Sequence, residues 1–161
     1  MATITPFLWF ENQAEEAANF YVSVFDNSAI QSLSRYPEGS PLPAGTAMEV
    51  SFNLDGVDFQ SINGGASVGF NESISFVVSA NTQEKIDRLW GSLTANGGAP
   101  GQCGWLKDRF GVSWQIVPSV LGELLGSSDP QVAARVMRAM LTMTKLDIEQ
   151  ITAAGQADVL R

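Results

Sequence analysis

Cys103-Gly104-Trp105-Leu106-Lys107-Asp108-Arg109-Phe110-Gly111-Val112-Ser113-Trp114-Gln115-Ile116-Val117-Pro118 is the stretch that decides the fold. Two strand-like runs, 102–107 and 112–117, flank Asp108-Arg109-Phe110-Gly111, whose polar start and glycine end read as a turn. The second arm has an echo earlier in the chain. Gly56-Val57-Asp58-Phe59-Gln60 pairs with Gly111-Val112-Ser113-Trp114-Gln115 at a shift of 55 residues. Farther upstream the echo continues at a shift of 69, pairing Phe7 with Phe76, Leu8 with Val77, Asn12 with Asn81, Glu15 with Glu84, Phe20 with Leu89, Tyr21 with Trp90 and Ser23 with Ser92. The change of shift marks a middle that is shorter in the second copy, which lacks the loop of three prolines and two glycines at 37–45. A recurring order of elements at matched positions is the mark of an internal repeat.

The elements follow from periodicity. Residues 3–10 are aromatic and apolar, with Pro6 marking an edge-like or bulged strand position. From Asn12, read as an N-cap with Glu15 three residues on, Ala14, Ala17, Ala18, Tyr21, Val24 and Phe25 recur at helical spacing. Strands are predicted at 29–36, 47–54 and 57–62, the last two joined by Asp55-Gly56. The second copy then gives a strand at 74–79, a helix at 81–94 with Ile86, Leu89, Trp90 and Leu93 on one face, and the hairpin already quoted. After Pro118 the pattern is purely helical: a turn at 121–125, a helix capped by Ser128 or Asp129 with Pro130 near its first position, and another at 146–153. The predicted class is α+β. Paired βαβββ modules, at about 1–65 and 72–118, make one domain over 1–118, followed by a helical extension over 119–161. A module of this kind shields one sheet face with its helix and leaves the other to be met by a second sheet. Pairing the two therefore predicts a curved mixed sheet around a cleft.

Composition narrows the chemistry. The 161 residues carry 9 Lys plus Arg against 17 Asp plus Glu, a formal charge of −8. Such a surface repels phosphate backbones and offers anionic lipid no basic patch, so neither nucleic acid nor a membrane is expected as a partner. The N-terminal run has no Lys or Arg ahead of Glu11, and the single Cys103 has no partner for an internal disulfide, so the expected location is a reducing cytoplasm. There is no histidine. Ser-His-Asp and Cys-His catalysis within the chain are excluded, as is any zinc, nickel or iron site that needs imidazole.

With these residues in hand, the chain resembles the vicinal oxygen chelate superfamily of glyoxalase I, extradiol dioxygenases and bleomycin-resistance proteins. More narrowly it is similar to the PhnB-like branch, often labelled a 3-demethylubiquinone-9 3-methyltransferase domain. The resemblance runs from about Ile4 to Pro118. It rests on Leu8-Trp9-Phe10, Ala14-Glu15-Glu16-Ala17 through Phe20-Tyr21, Asn63-Gly64-Gly65, Ile74-Ser75-Phe76 and the quoted hairpin. Metal-dependent members place four His, Glu or Gln ligands on the first and last strands of the two modules. The resemblance puts these positions at Pro6, Gln60, Ser75 and Gln115. Pro6 has no donor side chain, Ser75 is a poor neutral ligand, and two amides cannot hold a transition ion alone. The expectation is a cleft with no metal and no cofactor.

Candidate ligand-binding residues are Trp9, Gln60, Asn63, Ser75, Cys103, Trp105 and Gln115. Gln60 and Gln115 lie out of phase with Phe59 and Trp114, so they face the cleft if those aromatics face the helices. Trp9 and Trp105 are aromatic walls of the type small-molecule sites use, or core packing. Asn63-Gly64-Gly65 offers backbone N–H groups to an anion, or is a plain turn. Cys103, Trp105 and Lys107 alternate along one predicted strand, where an ammonium can activate a thiol; the plainer reading of a lone cysteine is a small buried hydrophobe. Met137, Met140 and Met143 form a stripe that packs the extension onto the domain or onto a second subunit, and a homodimer is expected by resemblance. The leading reading is a metal-independent protein binding a small organic molecule in the cleft, with turnover left open. The alternatives are methyl transfer, as the family label suggests, and a carboxylate-based metalloenzyme of lyase or dioxygenase type using Glu49 or Glu72.

Overall fold

The computed structural model describes residues 1–156. The chain divides into two compact units, Met1–Gly69 and the residues from Phe70 onward. The helical extension thus belongs to the second unit rather than standing apart; its residues 157–161 lie outside the described residues.

The first unit is a four-stranded mixed sheet in the order β1-β4-β3-β2 with one helix. Its elements are β1 (Phe7–Phe10), α1 (Ala14–Val24), β2 (Ala29–Arg35), β3 (Ala47–Leu54) and β4 (Val57–Asn63). β1 runs parallel to β4, and Phe7 is in register with Gln60. Because side chains alternate along a strand, one set faces α1 and the other does not. Leu8, Phe10, Val50, Phe52, Leu54 and Phe59 are buried with Ala14, Ala17, Ala18, Tyr21 and Val24 of the helix, and Phe52 stacks on Phe59. Phe7 and Trp9 remain exposed on the opposite face. β2 forms the edge, and register shifts interrupt its pairing with β3, a device that blunts unwanted strand addition.

Asn12 does not cap α1. The helix begins two residues later, and its N-cap Gln13 makes no side-chain cap bond. The acceptor comes from the far end of the sheet. Buried Asn63, last residue of β4, accepts from Ala14 N at 2.7 Å through Oδ1 and donates to Ala47 O at 3.1 Å through Nδ2. Its carbonyl accepts from the Tyr36 hydroxyl at 2.7 Å. One amide thus ties the helix start to two strands.

The second unit repeats the plan with β5 (Ser75–Ala80), α2 (Gln83–Thr94), β6 (Ala99–Pro100), β7 (Trp105–Lys107) and β8 (Ser113–Pro118), in the order β5-β8-β7-β6. Thr82, not Asn81, caps α2, accepting from Lys85 N. Ile86, Leu89 and Leu93 are buried with Leu106, Trp114 and Ile116. The strand expected at 102–107 is shorter at its start. Cys103 has φ of +57° and Gly104 of +83°, so both lie in a left-handed turn ahead of β7. Short β6 pairs with β7.

The register corrects the upstream repeat. Parallel pairing aligns Val77 with Gln115, as Phe7 aligns with Gln60. The structural partner of Phe7 is therefore Val77, one residue beyond the match made on sequence. A one-residue slip exchanges the two faces of a strand. Phe76 packs on Trp114 beneath α2, whereas Phe7 is exposed on the face away from α1.

The extension comprises α3 (Leu121–Leu125), α4 (Pro130–Leu141) and α5 (Ile148–Gln156). Leu121, Val136, Met143, Leu146 and Ile151 form a core of their own, joined by half-buried Val117 from β8. Of the methionine stripe, Met143 is buried, Met140 packs at its margin and Met137 is exposed. The α4–α5 connection docks onto the module: Cys103 N donates to Met143 O, Gly104 N to Thr144 O, and the Gln83 side chain bonds both Leu146 O and Ile148 N. A Cβ at Gly104 would lie 2.7 Å from Ile116 O and 2.9 Å from Leu146, so only glycine permits this approach.

Replacing Asn63 by Ala strands the Ala14 N–H and the Ala47 carbonyl inside the first unit. Each buried orphan costs about 1–3 kcal/mol. Urea denaturation of Asn63→Ala is expected to show a loss of roughly 2–4 kcal/mol on that basis; a change within about 0.5 kcal/mol, the range of neutral surface substitutions, contradicts the role given to this amide.

Candidate functional site

Phe59 and Trp114 are buried toward the helices, and Gln60 and Gln115 lie half-buried on the opposite faces. The hairpin phase read from sequence therefore holds in both units. Each unit also brings together the two positions that the resemblance marks as ligands. Gln60 N donates to Pro6 O at 2.9 Å in the first, and Gln115 Nε2 donates to Ser75 Oγ at 2.9 Å in the second.

These donors do not fit a transition ion. Pro6 offers only a carbonyl already bonded to Gln60, and the Ser75–Gln115 pair is neutral and partly satisfied by its own bond. Among the described residues no group of three or more His, Cys, Asp or Glu side chains could hold a metal. Glu49 and Glu72 belong to different units, and Glu72 is engaged by Lys107 at 2.5 Å.

The remaining candidates divide sharply. Asn63 is buried and bonded to backbone at both ends of its amide, and the N–H groups of Gly64 and Gly65 donate to Phe10 O and Glu11 O. That triplet closes the module, so neither its side chain nor its backbone is turned to an anion. Trp9 lies over Gly64 and donates Nε1–H to Ala66 O at 2.8 Å, with part of its ring exposed. Cys103 sits in the left-handed turn, its N–H held by Met143 O, and does not share the strand face of Trp105 and Lys107.

Ser75, Trp105 and Gln115 are brought together on the open face of the second sheet. Antiparallel pairing sets Trp105 opposite Gln115 and Lys107 opposite Ser113, while β5 sets Ser75 beside Ser113 and Val77 beside Gln115. Two rows result, Lys107-Ser113-Ser75 and Trp105-Gln115-Val77. Paired side chains on one face lie about 4.5–5.5 Å apart, so these groups are neighbours. A cavity of about 280 Å³ opens at the Lys107 end, lined by Glu72, Pro100, Trp105, Leu106, Lys107 and Ser113 among others. Ser113 is 1% exposed and its hydroxyl has no hydrogen-bond partner. The sequence reading named Ser113 only as part of the repeat. Its spacing of two from Gln115 was the available signal, because positions i and i+2 share a strand face.

Asp108 holds the hairpin in shape. Its buried carboxylate accepts from Phe110 N, Val112 N and Trp114 Nε1 at 2.9, 3.1 and 2.9 Å. The Asp108–Gly111 turn is thereby locked to Trp114, which fixes the phase of Ser113 and Gln115 on either side. At the rim, the Lys107 ammonium beside exposed Glu72 holds that carboxyl below its ordinary range, chiefly through the hydrogen bond between them.

The profile of the 3-demethylubiquinone-9 3-methyltransferase family matches residues 2–117. The chain belongs to this family. A PhnB protein of Bacillus cereus, provisionally described as a 3-demethylubiquinone-9 3-methyltransferase, shares 38% identity over 73% of this chain and 100% of its own, with a TM-score of 0.66. The profile and this relative agree on one family, so the chain is PhnB-like. The fold is shared more widely. Protein PA1353 of Pseudomonas aeruginosa aligns at 19% identity over 73% of this chain and 98% of its own, with a TM-score of 0.60. The fosfomycin resistance protein FosX of Listeria monocytogenes, complexed with Mn(II) and sulfate, aligns at 14% identity over 76% and 93%, with a TM-score of 0.54. No curated protein matches the chain. The family profile ends at residue 117, short of α3, α4 and α5.

Two outcomes check this geometry. Because the folded pKa of Glu72 is depressed, the ion pair is intact at neutral pH and is lost as pH falls through the value at which Glu72 protonates. Carboxyl NMR is expected to show Glu72 titrating below the usual carboxylate range and Lys107→Met returning it upward; equal midpoints in the two proteins contradict the contact. A Cβ at residue 64 would come within 1.8 Å of the Trp9 ring. Gly64→Ala is thus expected to displace Trp9 and shift the tryptophan emission, whereas the same substitution in a Trp9→Phe background leaves the emission unchanged.

Proposed function

We propose that the protein binds a small organic molecule on the open face of its second sheet, and that binding needs no transition-metal ion. The observation that carries this reading is the cavity beside the Trp105-Gln115 row. Trp105 and Ser113 line the cavity, and the half-buried Gln115 amide stands opposite Trp105 on the same sheet face, just outside the lining. Small-molecule sites combine such apolar walls with a few fixed polar groups. The Gln115 amide keeps its carbonyl as an acceptor while its N–H₂ group is oriented by Ser75. The neutral Ser75–Gln115 pair supports recognition by hydrogen bonding rather than activation by a Lewis acid.

The family's name suggests methyl transfer. The geometry that would favour it is a glycine-rich loop between a strand and a helix, cradling a nucleotide-like cofactor. Here Gly64 and Gly65 follow β4, their N–H groups bond the end of β1, and the next element is β5. Calorimetric titration with S-adenosylmethionine is expected to give no saturable heat.

A fragment screen by protein-observed NMR tests the main reading. Hits are expected to shift the amides around Trp105, Ser113 and Gln115 and to do so equally with and without EDTA. Gln115→Ala is expected to weaken them about fivefold or more, the equivalent of one hydrogen bond of about 1 kcal/mol. Hits that map elsewhere, or that vanish with chelator, overturn the proposal.

A further inference from the structure

We infer that the ligand of this face is a small organic carboxylate, bound with its charge between Lys107 and Ser113 and its apolar body against Trp105. This assignment of ligand class rests on the preceding reading of the face as a small-molecule site.

Three observations converge. The first is the Ser113 hydroxyl. A buried polar group without a partner is uncommon in folded proteins and calls for a ligand, a water or an ion. Ser113 is enclosed on both sides, by Lys107 across β7 and by Ser75 across β5. Ser75 Oγ accepts from Gln115. Ser113 lines the cavity while its oxygen is closed off from solvent, so a ligand oxygen reaches the hydroxyl only when the side chains around it shift. Once reached, the hydroxyl donates to that oxygen.

The second observation is the neighbouring ammonium. Lys107 is directly opposite Ser113 and lines the same cavity. Two donors on adjacent strands, one of them charged, suit the two oxygens of a carboxylate, since charge-assisted hydrogen bonds are the stronger ones. The protein already presents a carboxylate to this ammonium. Glu72 precedes β5, its side chain is 60% exposed, and its Oε1 lies 2.5 Å from Lys107 Nζ. An exposed ion pair of this kind is weak and readily exchanged. Glu72 therefore shows the chemistry that Lys107 accepts, and it competes with a ligand carboxylate for the same ammonium.

The third observation is size and lining. About 280 Å³ falls just below the range of roughly 300–1,000 Å³ usual for drug-sized ligands, so the occupant is no larger than about one ring with its substituents. Pro100, Ala99 and Trp105 make the walls beside the polar end. A long polar chain would leave these walls unused, and an inorganic anion would not fill them.

Benzoate is the test probe, with benzamide as its neutral counterpart of the same shape. Dissociation constants are measured by NMR titration on the full chain. Benzoate is expected to bind at least tenfold more tightly than benzamide and to shift Trp105 and Ser113. Lys107→Met is expected to remove that preference, and Ser113→Ala to weaken benzoate severalfold. Glu72→Gln lies on an exposed loop and carries no folding risk. It is expected to tighten benzoate severalfold by removing the competing carboxylate, a gain that general loss of surface charge would not confine to Lys107-containing protein. The double variant Glu72→Gln/Lys107→Met is therefore expected to show no gain. Equal binding of benzoate and benzamide, or unchanged or weaker benzoate binding in Glu72→Gln, overturns the carboxylate assignment while leaving small-molecule binding in place. Failure of both probes to bind, together with an NMR screen without hits on this face, overturns both readings.

Discussion

Parallel pairing of each module's first strand with its last is the constraint on which the rest depends. β1 lies beside β4 and β5 beside β8, and each pair is linked through a helix that must cover one face. Once the register is set, alternation decides every side chain. In the second unit, Phe76, Trp114 and Ile116 go beneath α2, and Ser75, Ser113 and Gln115 go to the other face. Energetics favour this choice strongly, since burying a large apolar side chain is worth about 1.5–3 kcal/mol. The polar face is thus a consequence of where the aromatics must go.

The two units protect their register by different means. The first uses Asn63, whose amide bridges Ala14 and Ala47 and so couples the end of β4 to the start of α1. The second uses Asp108, whose carboxylate gathers two backbone N–H groups and the Trp114 indole at the hairpin turn. Both are buried polar groups that fold the chain locally by satisfying backbone donors that would otherwise be orphaned. The extension adds a third restraint. Gln83 and the turn at Cys103-Gly104 are bonded to the α4–α5 connection, which fixes the approach to β7 from outside the family's own span.

Most of the fold was legible in the sequence because it is written in alternation and helical spacing. β3 and the short helix α3 fall on the residues expected, and the Phe59/Gln60 and Trp114/Gln115 phases hold. What escaped was carried by contacts distant in sequence. Asn12 has the local chemistry of an N-cap, but Asn63, 49 residues from Ala14, takes the role. The match of Phe7 with Phe76 is chemically plausible, yet the parallel register with β8 makes Val77 the equivalent position. Cys103 has the spacing of a strand residue, while the Gly104 approach to Ile116 and Leu146 forces a turn there. Of the candidate site, Gln115 was readable from phase, Ser75 was named through the resemblance, and Trp105 only as an aromatic wall or core residue. The spacing of two from Gln115 puts Ser113 on the same face, but nothing in the sequence marks its hydroxyl as one left without a partner.

The register of β5 against β8 is the quantity to measure. Cross-strand NOEs, with contacts from the Gln115 side-chain amide, report it without reference to any ligand. The account predicts contacts pairing Val77 with Gln115, and the Gln115 amide protons close to Ser75. Contacts pairing Phe76 with Gln115 would turn Ser75 and Gln115 to opposite faces and contradict it.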